Sequence, residues 1–401
     1  MTELCDVVVV GAGPGGATAA GLLARSGLEV TLLDRSAFPR EKTCGDALTP
    51  RAVAVLAELG LLDALGSDAI SVDRIEIVGP AGGSLTIPLK APPGAAEPCL
   101  VVRRRTLDDA ILRWAEAGGA RFVAPARVSR VEGGSAGARV IGHDGDARTE
   151  WRARVAIIAT GSDVGMLKRS GLLKKTPPLM LASRTYYEGA CAPVDRLQFR
   201  FDGLRLPAYG WLFPLPGNRW NVGAMVYPPR REPAAARRAL DSFLAEPGVA
   251  AMLDGARRTR KPEGYPLRGD FETAPTGGPA TLLVGDAAGL VNPMTGEGID
   301  YALESACIAA ELIRRRLKGG TLPAQVISEY DDLLRQRYQR LFRFSRRVRE
   351  FALRPLLLDR LVALGHRRAE LAALLMEILQ GPRDPSEGLS RSTILRMLAT
   401  G

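Results

Sequence analysis

Apolar residues fall along this chain in short blocks whose period changes from region to region. Asp6 to Val10 is a β-branched run without polar alternation, the pattern of a strand covered on both faces in a parallel sheet. Gly11-Ala-Gly13-Pro-Gly15-Gly16 follows, then a helical stretch from Ala17 to Ser26 that Gly27 stops. Glu29 to Leu33 reads as the next strand, ending at Asp34. Strand, helix and strand make a βαβ unit. Residues 79–98 are rich in proline and glycine and predict excursion loops between short strands. Leu107 to Ala117 is predicted helical, and Ala156–Ala159 and Thr281–Val284 are further buried strands, the last running into Gly285-Asp286. Residues 180–230 alternate apolar and polar positions with aromatics, which predicts an antiparallel sheet. Beyond about residue 298 the pattern is helical to the end, with Pro355 breaking or kinking it and Gly381-Pro382 marking a loop. No internal repeat is present. The expected fold class is α/β plus an antiparallel sheet: a Rossmann-like domain, a β-sheet substrate domain and a helical C-terminal region.

With 401 residues, 46% of them hydrophobic and 24% charged, the chain can bury a large core and is not a disordered polypeptide. No stretch approaches the ~18–20 apolar residues of a spanning helix, and the start, MTELCDVVVV, lacks the features of a secretory signal. Cysteines 5, 44, 99, 191 and 307 are scattered, so neither a disulfide framework nor a zinc site is expected, and no metal is predicted. A cytoplasmic location fits best. Two histidines, His143 and His366, leave little for histidine-based hydrolytic chemistry. The net charge of +10 is concentrated: eleven arginines lie between Leu334 and Arg368 against Glu350 and Asp359. Leu341, Phe344, Val348 and Phe351 interleave at near-helical steps. Two readings stand for this basic helical tail: a contact with an anionic membrane surface, making the protein peripheral to the membrane, or the solvated face of a core-packed helix. No recognition motif accompanies the charge, so nucleic acid is not an expected partner.

Gly11, Gly13 and Gly16 form G-x-G-x-x-G between a strand and a helix. A diphosphate needs backbone that can be approached without side chains, and the helix N-terminus offers free N–H groups and positive dipole to it. Asp34 ends the second strand 18 residues after Gly16, where a carboxylate accepts hydrogen bonds from ribose hydroxyls, favouring FAD or NAD over NADP. Much later, Gly285-Asp286-Ala-Ala-Gly289 leads to Asn292-Pro293-Met-Thr-Gly296-Glu297-Gly298. There an acid can hold ribityl hydroxyls, and a helix N-terminus can stabilise negative charge at the pyrimidine edge of a flavin. Read as an ordinary βα turn this stretch is a capping aspartate; as the second half of a nucleotide site it points to FAD.

Four separated stretches, from residue 6 to about 318, carry a resemblance to a known family: the N-terminal fingerprint, Lys42-Thr-Cys44-Gly45-Asp46-Ala-Leu-Thr49-Pro50, Tyr209-Gly-Trp211-Leu-Phe213-Pro214, and Gly285 through Gly298. The chain resembles the geranylgeranyl reductase family, within the flavoprotein group that includes para-hydroxybenzoate hydroxylase. In motif spelling it is most similar to bacterial reductases of the menaquinone side chain. The resemblance implies non-covalent FAD, with Gly11, Gly13, Gly16, Asp34 and Arg35 at the ADP half and Arg104 near the flavin and its diphosphate, although Arg103 and Arg105 leave that register open by one. It further implies Asp286 with Gly285 at the ribityl chain, Pro293 and Gly296 to Gly298 at the pyrimidine edge, and Cys44 and Gly45 close to the ring. It also implies a discontinuous FAD domain of residues 1–70, 100–178 and 270–320, a substrate domain of 71–99 and 179–269, and a helical region of 321–401. One departure bears on the electron donor: the group's Ala-Asp-Gly is here Ala159-Thr160-Gly161-Ser162-Asp163, so the turn glycine stands without its acid. The reductant is therefore NADPH or another donor.

Tyr209, Trp211 and Phe213 alternate on a predicted strand and share a face, with Pro214 ending the run. They are either the core of the sheet or, as the resemblance implies, the lining for an isoprenoid substrate. The expected reaction is reduction of a carbon–carbon double bond in a prenyl chain by hydride from flavin N5, with Cys44, Tyr209 and Glu297 as candidate proton sources. A monooxygenase or oxidase of a secondary metabolite is the rival enzyme, because fold does not fix chemistry. A non-catalytic flavin-binding, membrane-associated protein is the reading of a different class.

Overall fold

The computed structural model describes residues 2–189, 195–228, 232–317 and 324–369, with 372–373 and 376–377 beyond them; Gly381-Pro382 lies outside the described residues. The opening strand is Thr2–Val10, and Val7, Val8 and Val9 are fully buried, as expected of a strand with helices on both faces. It pairs in parallel with Val30–Leu33 on one side and with Ala147–Ile158 on the other. Arg121–Val123 and Thr281–Leu283 extend this parallel sheet outward. The strand order thus diverges at Thr2–Val10, and its neighbours' carboxyl ends form a crevice where α/β sheets bind ligands. The first helix, Pro14–Arg25, packs closely: a Cβ on Gly21 would overlap Trp114, and one on Gly15 would overlap Ala302.

The predicted strand at Ala156–Ala159 is the end of a longer one. Ala147–Ile158 also pairs antiparallel with Gly137–Asp144, which pairs with Ala126–Gly134. This meander was not visible as strands, because its outer residues are charged.

A second sheet contains Met180–Glu188, Leu197–Arg200, Ala208–Leu215 and Arg219–Val226, together with Arg74–Val78, Ser84–Pro88 and two short strands. Its pairs are antiparallel except that Leu197–Arg200 runs parallel to Arg74–Val78. All eight residues of Ala208–Leu215 are buried. Tyr209, Trp211, Phe213 and Leu215 belong to one apolar cluster, and Leu212 joins Trp220, Val222 and Phe243 in another on the opposite face. Pro214 does not end the strand. It pairs with Trp220 one residue before the strand closes, a place near the hairpin where a proline is tolerated.

Over the described residues the C-terminal region is helical, with Ile299–Arg316, Ala324–Ala352 and Pro355–Arg367, and the rest of the expected 321–401 region lies outside them. Pro355 begins a new helix at the position where its missing N–H costs nothing. Most arginines of the middle helix are engaged with the body. Arg335 donates to the Phe271, Glu272 and Ala274 carbonyls, Arg337 pairs with Glu304, and Arg343 and Arg346 pair with Glu272. Among the described residues no helix is long and apolar enough to cross a membrane.

Candidate functional site

A cavity of about 470 Å³ opens at the carboxyl ends of the parallel strands and runs to the face of the second sheet. At its first end lie Gly11, Gly13, Asp34 and Arg35. Gly11 has φ +101, and a Cβ on Gly16 would collide with the Gly11 carbonyl oxygen, so both glycines are required by the turn. The Pro14–Arg25 helix begins at Gly13 without a side-chain cap, leaving its first N–H groups open to an anion. Two guanidinium groups stand over this terminus: Arg40 and Arg104 each come within 4.0 Å of where a Gly13 Cβ would lie. Buried Asp108 fixes both, accepting from Arg104 Nε at 2.7 Å and Nη2 at 2.8 Å and pairing with Arg40 at 3.2 Å. Asp34 is itself oriented by the Ala12 and Ser36 N–H groups at 2.8 and 2.9 Å, with lone pairs to spare for ribose hydroxyls. An uncapped helix start, two fixed cations and an oriented carboxylate fit the ADP half of FAD.

Further along, Asp286 and Gly285 line the cavity, and Gly296, Glu297 and Gly298 follow at the start of Ile299–Arg316. That helix also lacks a side-chain cap. Burial pushes the Asp286 carboxyl up, against the attraction of Lys42, Arg104 and Arg268. Lys42 shows the converse: burial, then repulsion by Arg104, lowers its ammonium to about 7 despite nearby Asp286. Its Nζ sits over the Tyr265 ring. On the flank formed by the middle strand, Gly161 has φ +64 and the Thr160 hydroxyl is buried without a partner, an orphaned polar atom beside the cavity. Asp163 caps the short Val164–Arg169 helix through the Met166 N–H at 3.0 Å, so one of its oxygens is already committed.

The second sheet closes the far side. Tyr209, Trp211 and Phe213 face the cavity, in cross-strand register with Met225, Gly223 and Asn221. A Cβ on Gly223 would lie inside the Trp211 ring; glycine there lets the indole lie flat across the neighbouring strand. The Tyr209 hydroxyl donates to the Thr295 carbonyl, and burial raises its phenol well above the ordinary range. The Cys44–Gly45 turn meets this wall: a Cβ on Gly45 would stand 3.1 Å from Phe213. Cys44 carries a free, partly exposed thiol that lines the cavity and faces the Arg104 guanidinium.

The structure therefore gathers into one cavity Gly11, Gly13, Asp34, Arg35, Cys44, Gly45, Arg104, Gly161, Tyr209, Trp211, Phe213, Gly285, Asp286, Gly296, Glu297 and Gly298. Arg104 does so, whereas Arg103 and Arg105 do not. Three expected residues are not among the lining groups. Gly16 supports the turn from behind, Pro293 offers its carbonyl to Arg349 at 3.1 Å, and Pro214 follows wall residue Phe213 on the strand, where alternation turns its side chain to the other face. Arg40, Asp108, Arg184 and Tyr265 were missed, since each is an ordinary charged or aromatic residue until the fold assembles them.

A family model for the FAD binding domain matches residues 4–170. The chain is 35% identical over 363 residues to a menaquinone reductase of Mycobacterium tuberculosis, covering 87% of this chain and 84% of that protein. It belongs to the geranylgeranyl reductase family of FAD-dependent oxidoreductases. A digeranylgeranylglycerophospholipid reductase of Methanopyrus kandleri is 32% identical over 86% of this chain and 90% of its own. The fold of this flavoenzyme is also that of a geranylgeranyl bacteriochlorophyll reductase-like protein from Thermoplasma acidophilum, with TM-score 0.82 at 22% identity, over 96% of this chain and 99% of the other. The expected α/β architecture with its Rossmann-like FAD fold stands.

Proposed function

We propose that this flavoenzyme reduces carbon–carbon double bonds in an isoprenoid chain. The observation that carries the reading is the continuity of the cavity: an FAD cradle at one end opens directly onto an aromatic wall at the other. The names of its relatives, a menaquinone reductase and an archaeal prenyl-lipid reductase, support that substrate class. Gly11, Gly13, Asp34, Arg104 and Asp286 would hold FAD, which, reduced by NADPH or another donor, would supply a hydride to one alkene carbon. The residues here do the remainder. Gly296 to Gly298 and the uncapped helix behind them favour negative charge at the pyrimidine edge. Tyr209, Trp211 and Phe213 exclude water and hold an apolar chain flat, since an unactivated alkene offers nothing to polarise and must be aligned. The second alkene carbon needs a proton. Cys44 is the first candidate source, because its thiol faces the cavity, whereas the Tyr209 proton is engaged by Thr295. Glu297 lines the same space.

The test is anaerobic incubation of the dithionite-reduced enzyme with a menaquinone bearing a geranylgeranyl side chain, followed by mass spectrometry. Saturation adds one H2 and needs no oxygen. A product that gains an oxygen atom, and only in air, would replace this reading with the monooxygenase.

For such a substrate we also propose contact with an anionic membrane surface, through Pro355–Arg367 rather than the longer helix before it. Leu358 and Val362 are buried in the body, while Leu356 is 78% exposed and Leu357, Leu361 and Leu364 are about 40% exposed. Exposed Arg354, Arg360, Arg367 and Arg368 surround them. The acid of that helix, Asp359, is turned inward to the Ala81 N–H at 3.0 Å. Apolar and basic groups on one face left exposed among the described residues fit a surface of acidic lipids. Co-sedimentation with vesicles containing phosphatidylglycerol, lost in Leu356→Ser/Leu361→Ser, checks it.

A further inference from the structure

The proposed reaction leaves unexplained a polar cluster buried beneath the Cys44–Gly45 turn. Asp46, next in the chain, has φ +68, a left-handed conformation uncommon outside glycine and best tolerated by Asn and Asp. It is fully buried. Its carboxylate accepts from the Tyr186 hydroxyl at 2.7 Å, the Asn221 amide at 2.8 Å and the Arg104 N–H at 3.3 Å. Its own carbonyl accepts from Val102 at 2.9 Å. Burial raises the acid, and Tyr186, the nearby Arg184 guanidinium and Asn221 oppose that rise.

Asn221 is the hub. It lies at the centre of a row across three strands, with Tyr186 on one side and Phe213 on the other. Its Nδ2 donates to the Cys44 carbonyl at 2.7 Å as well as to Asp46, and its Oδ1 accepts from Trp211 Nε1 at 2.9 Å. The amide orientation follows from chemistry: an indole N–H only donates, while a carbonyl and a carboxylate only accept. Asn221 is fully buried with donors and acceptor engaged, so a rotation that broke one contact would strand several polar groups. One amide thus joins the two bodies that face each other in the cavity, the cysteine turn and the aromatic wall.

We propose that Asn221 is a positioning residue for the reduction, holding the Cys44 turn against the Trp211 indole at the edge of the space the alkene would occupy. This rests on the reductase reading above. It acts through Cys44 and Trp211 and touches no reacting atom itself. The isosteric Asn221→Asp places a carboxylate against the Asp46 carboxylate and the Cys44 carbonyl. In the double exchange Asn221→Asp/Asp46→Asn the acid and the amide trade places. The link between the two side chains and the Trp211 bond re-form, but the Cys44 bond does not.

The experiment compares wild type, Asn221→Asp and the double exchange in three measurements. These are FAD bound per chain, the alkylation rate of Cys44 by iodoacetamide in the apoprotein, and kcat and KM for the geranylgeranyl menaquinone. The proposal expects both variants to keep FAD. Cys44 alkylation should rise roughly tenfold in both, as loss of a hydrogen bond to the turn would allow. The value of kcat should fall at least roughly tenfold in both, with KM changed less than about threefold. Alkylation and kcat within about twofold of wild type in Asn221→Asp would overturn it, as would full recovery of kcat in the double exchange, which would make charge balance the role of the cluster. If Asn221→Asp fails to fold, the double exchange alone decides by the same criteria. If wild-type enzyme does not turn over the quinone, the reductase reading fails, while the alkylation comparison still tests the clamp.

Discussion

Substituting Glu304 by glutamine should cost this enzyme a large share of its stability, in a pH-dependent manner. Glu304 lies on the helix whose N-terminus lines the cavity and is almost wholly buried. It accepts from Arg51 Nη2 at 2.5 Å and Nε at 3.3 Å, from Arg337 Nη2 at 3.1 Å, and from the Tyr338 hydroxyl. Burial alone would raise this carboxyl. The attraction of Arg51 and then Arg337 outweighs that and holds it at about 2, against 4.5 for a free glutamate. The difference corresponds to about 3 kcal/mol of preference for the ionised native form. The variant also takes from Arg51, a buried cation on Pro50–Glu58, its hydrogen-bonded carboxylate, leaving Asp300 as the acid beside it; breaking a buried pair in this way usually costs about 3–5 kcal/mol. The sign is fixed by the lowered native value: the stabilisation is complete above about pH 4.5 and disappears as pH falls toward 2. Urea unfolding of the apoprotein at pH 7 should therefore show Glu304→Gln less stable by roughly 3–5 kcal/mol, with the gap narrowing from pH 4.5 downward. A difference below about 1 kcal/mol at pH 7, or one that stays constant to pH 3, would refute the ion-pair account. Arg51→Met/Glu304→Leu, which removes both charges, should recover most of the loss.

Gly223→Ala should displace the Trp211 indole, cost about 1–3 kcal/mol in urea unfolding, and weaken quinone binding more than FAD binding; unchanged tryptophan emission would contradict it. Lys42→Met should stabilise the apoprotein below about pH 7, where a charged Lys42 is disfavoured, with the gain fading as pH climbs toward 10.5; thermal melts across that range check the slope. Cys44→Ser should retain FAD and lower prenyl turnover at least roughly tenfold; turnover at the wild-type rate would remove Cys44 from the mechanism.

What could be read from the chain beforehand was local. The glycine turn, Asp34 and the alternation of Tyr209, Trp211 and Phe213 each depend on spacing within a few residues or one βαβ unit, and all fall in the cavity. The groups that hold the site together were not legible. Arg40 and Asp108 meet across 68 residues, Asp46 and Asn221 across 175, Arg51 and Glu304 across 253. Each alone is a charge or amide of ordinary type, and only the tertiary fold brings its partner. Pro214 misled for a related reason: proline stops a strand only where the ladder needs its N–H, and here the strand still reaches Leu215. The tail was half legible. Its basic periodicity was real, but Arg337, Arg343 and Arg346 of the longer helix answer acids on the body, and Arg335 and Arg349 answer its carbonyls.

Along the Ala208–Leu215 strand, Tyr209, Trp211 and Phe213 line the cavity, while Leu212 packs with Phe243 on the opposite face and Gly210 makes room for that ring. On the proposed reading, substrate preference and structural integrity would thereby be written on alternate letters of a single word. Variation at Tyr209 or Phe213 would retailor which tail is accepted, while Trp211, tied to Asn221, and Leu212 keep the scaffold intact. A library randomised at those two odd-numbered sites is the natural route to new saturating catalysts.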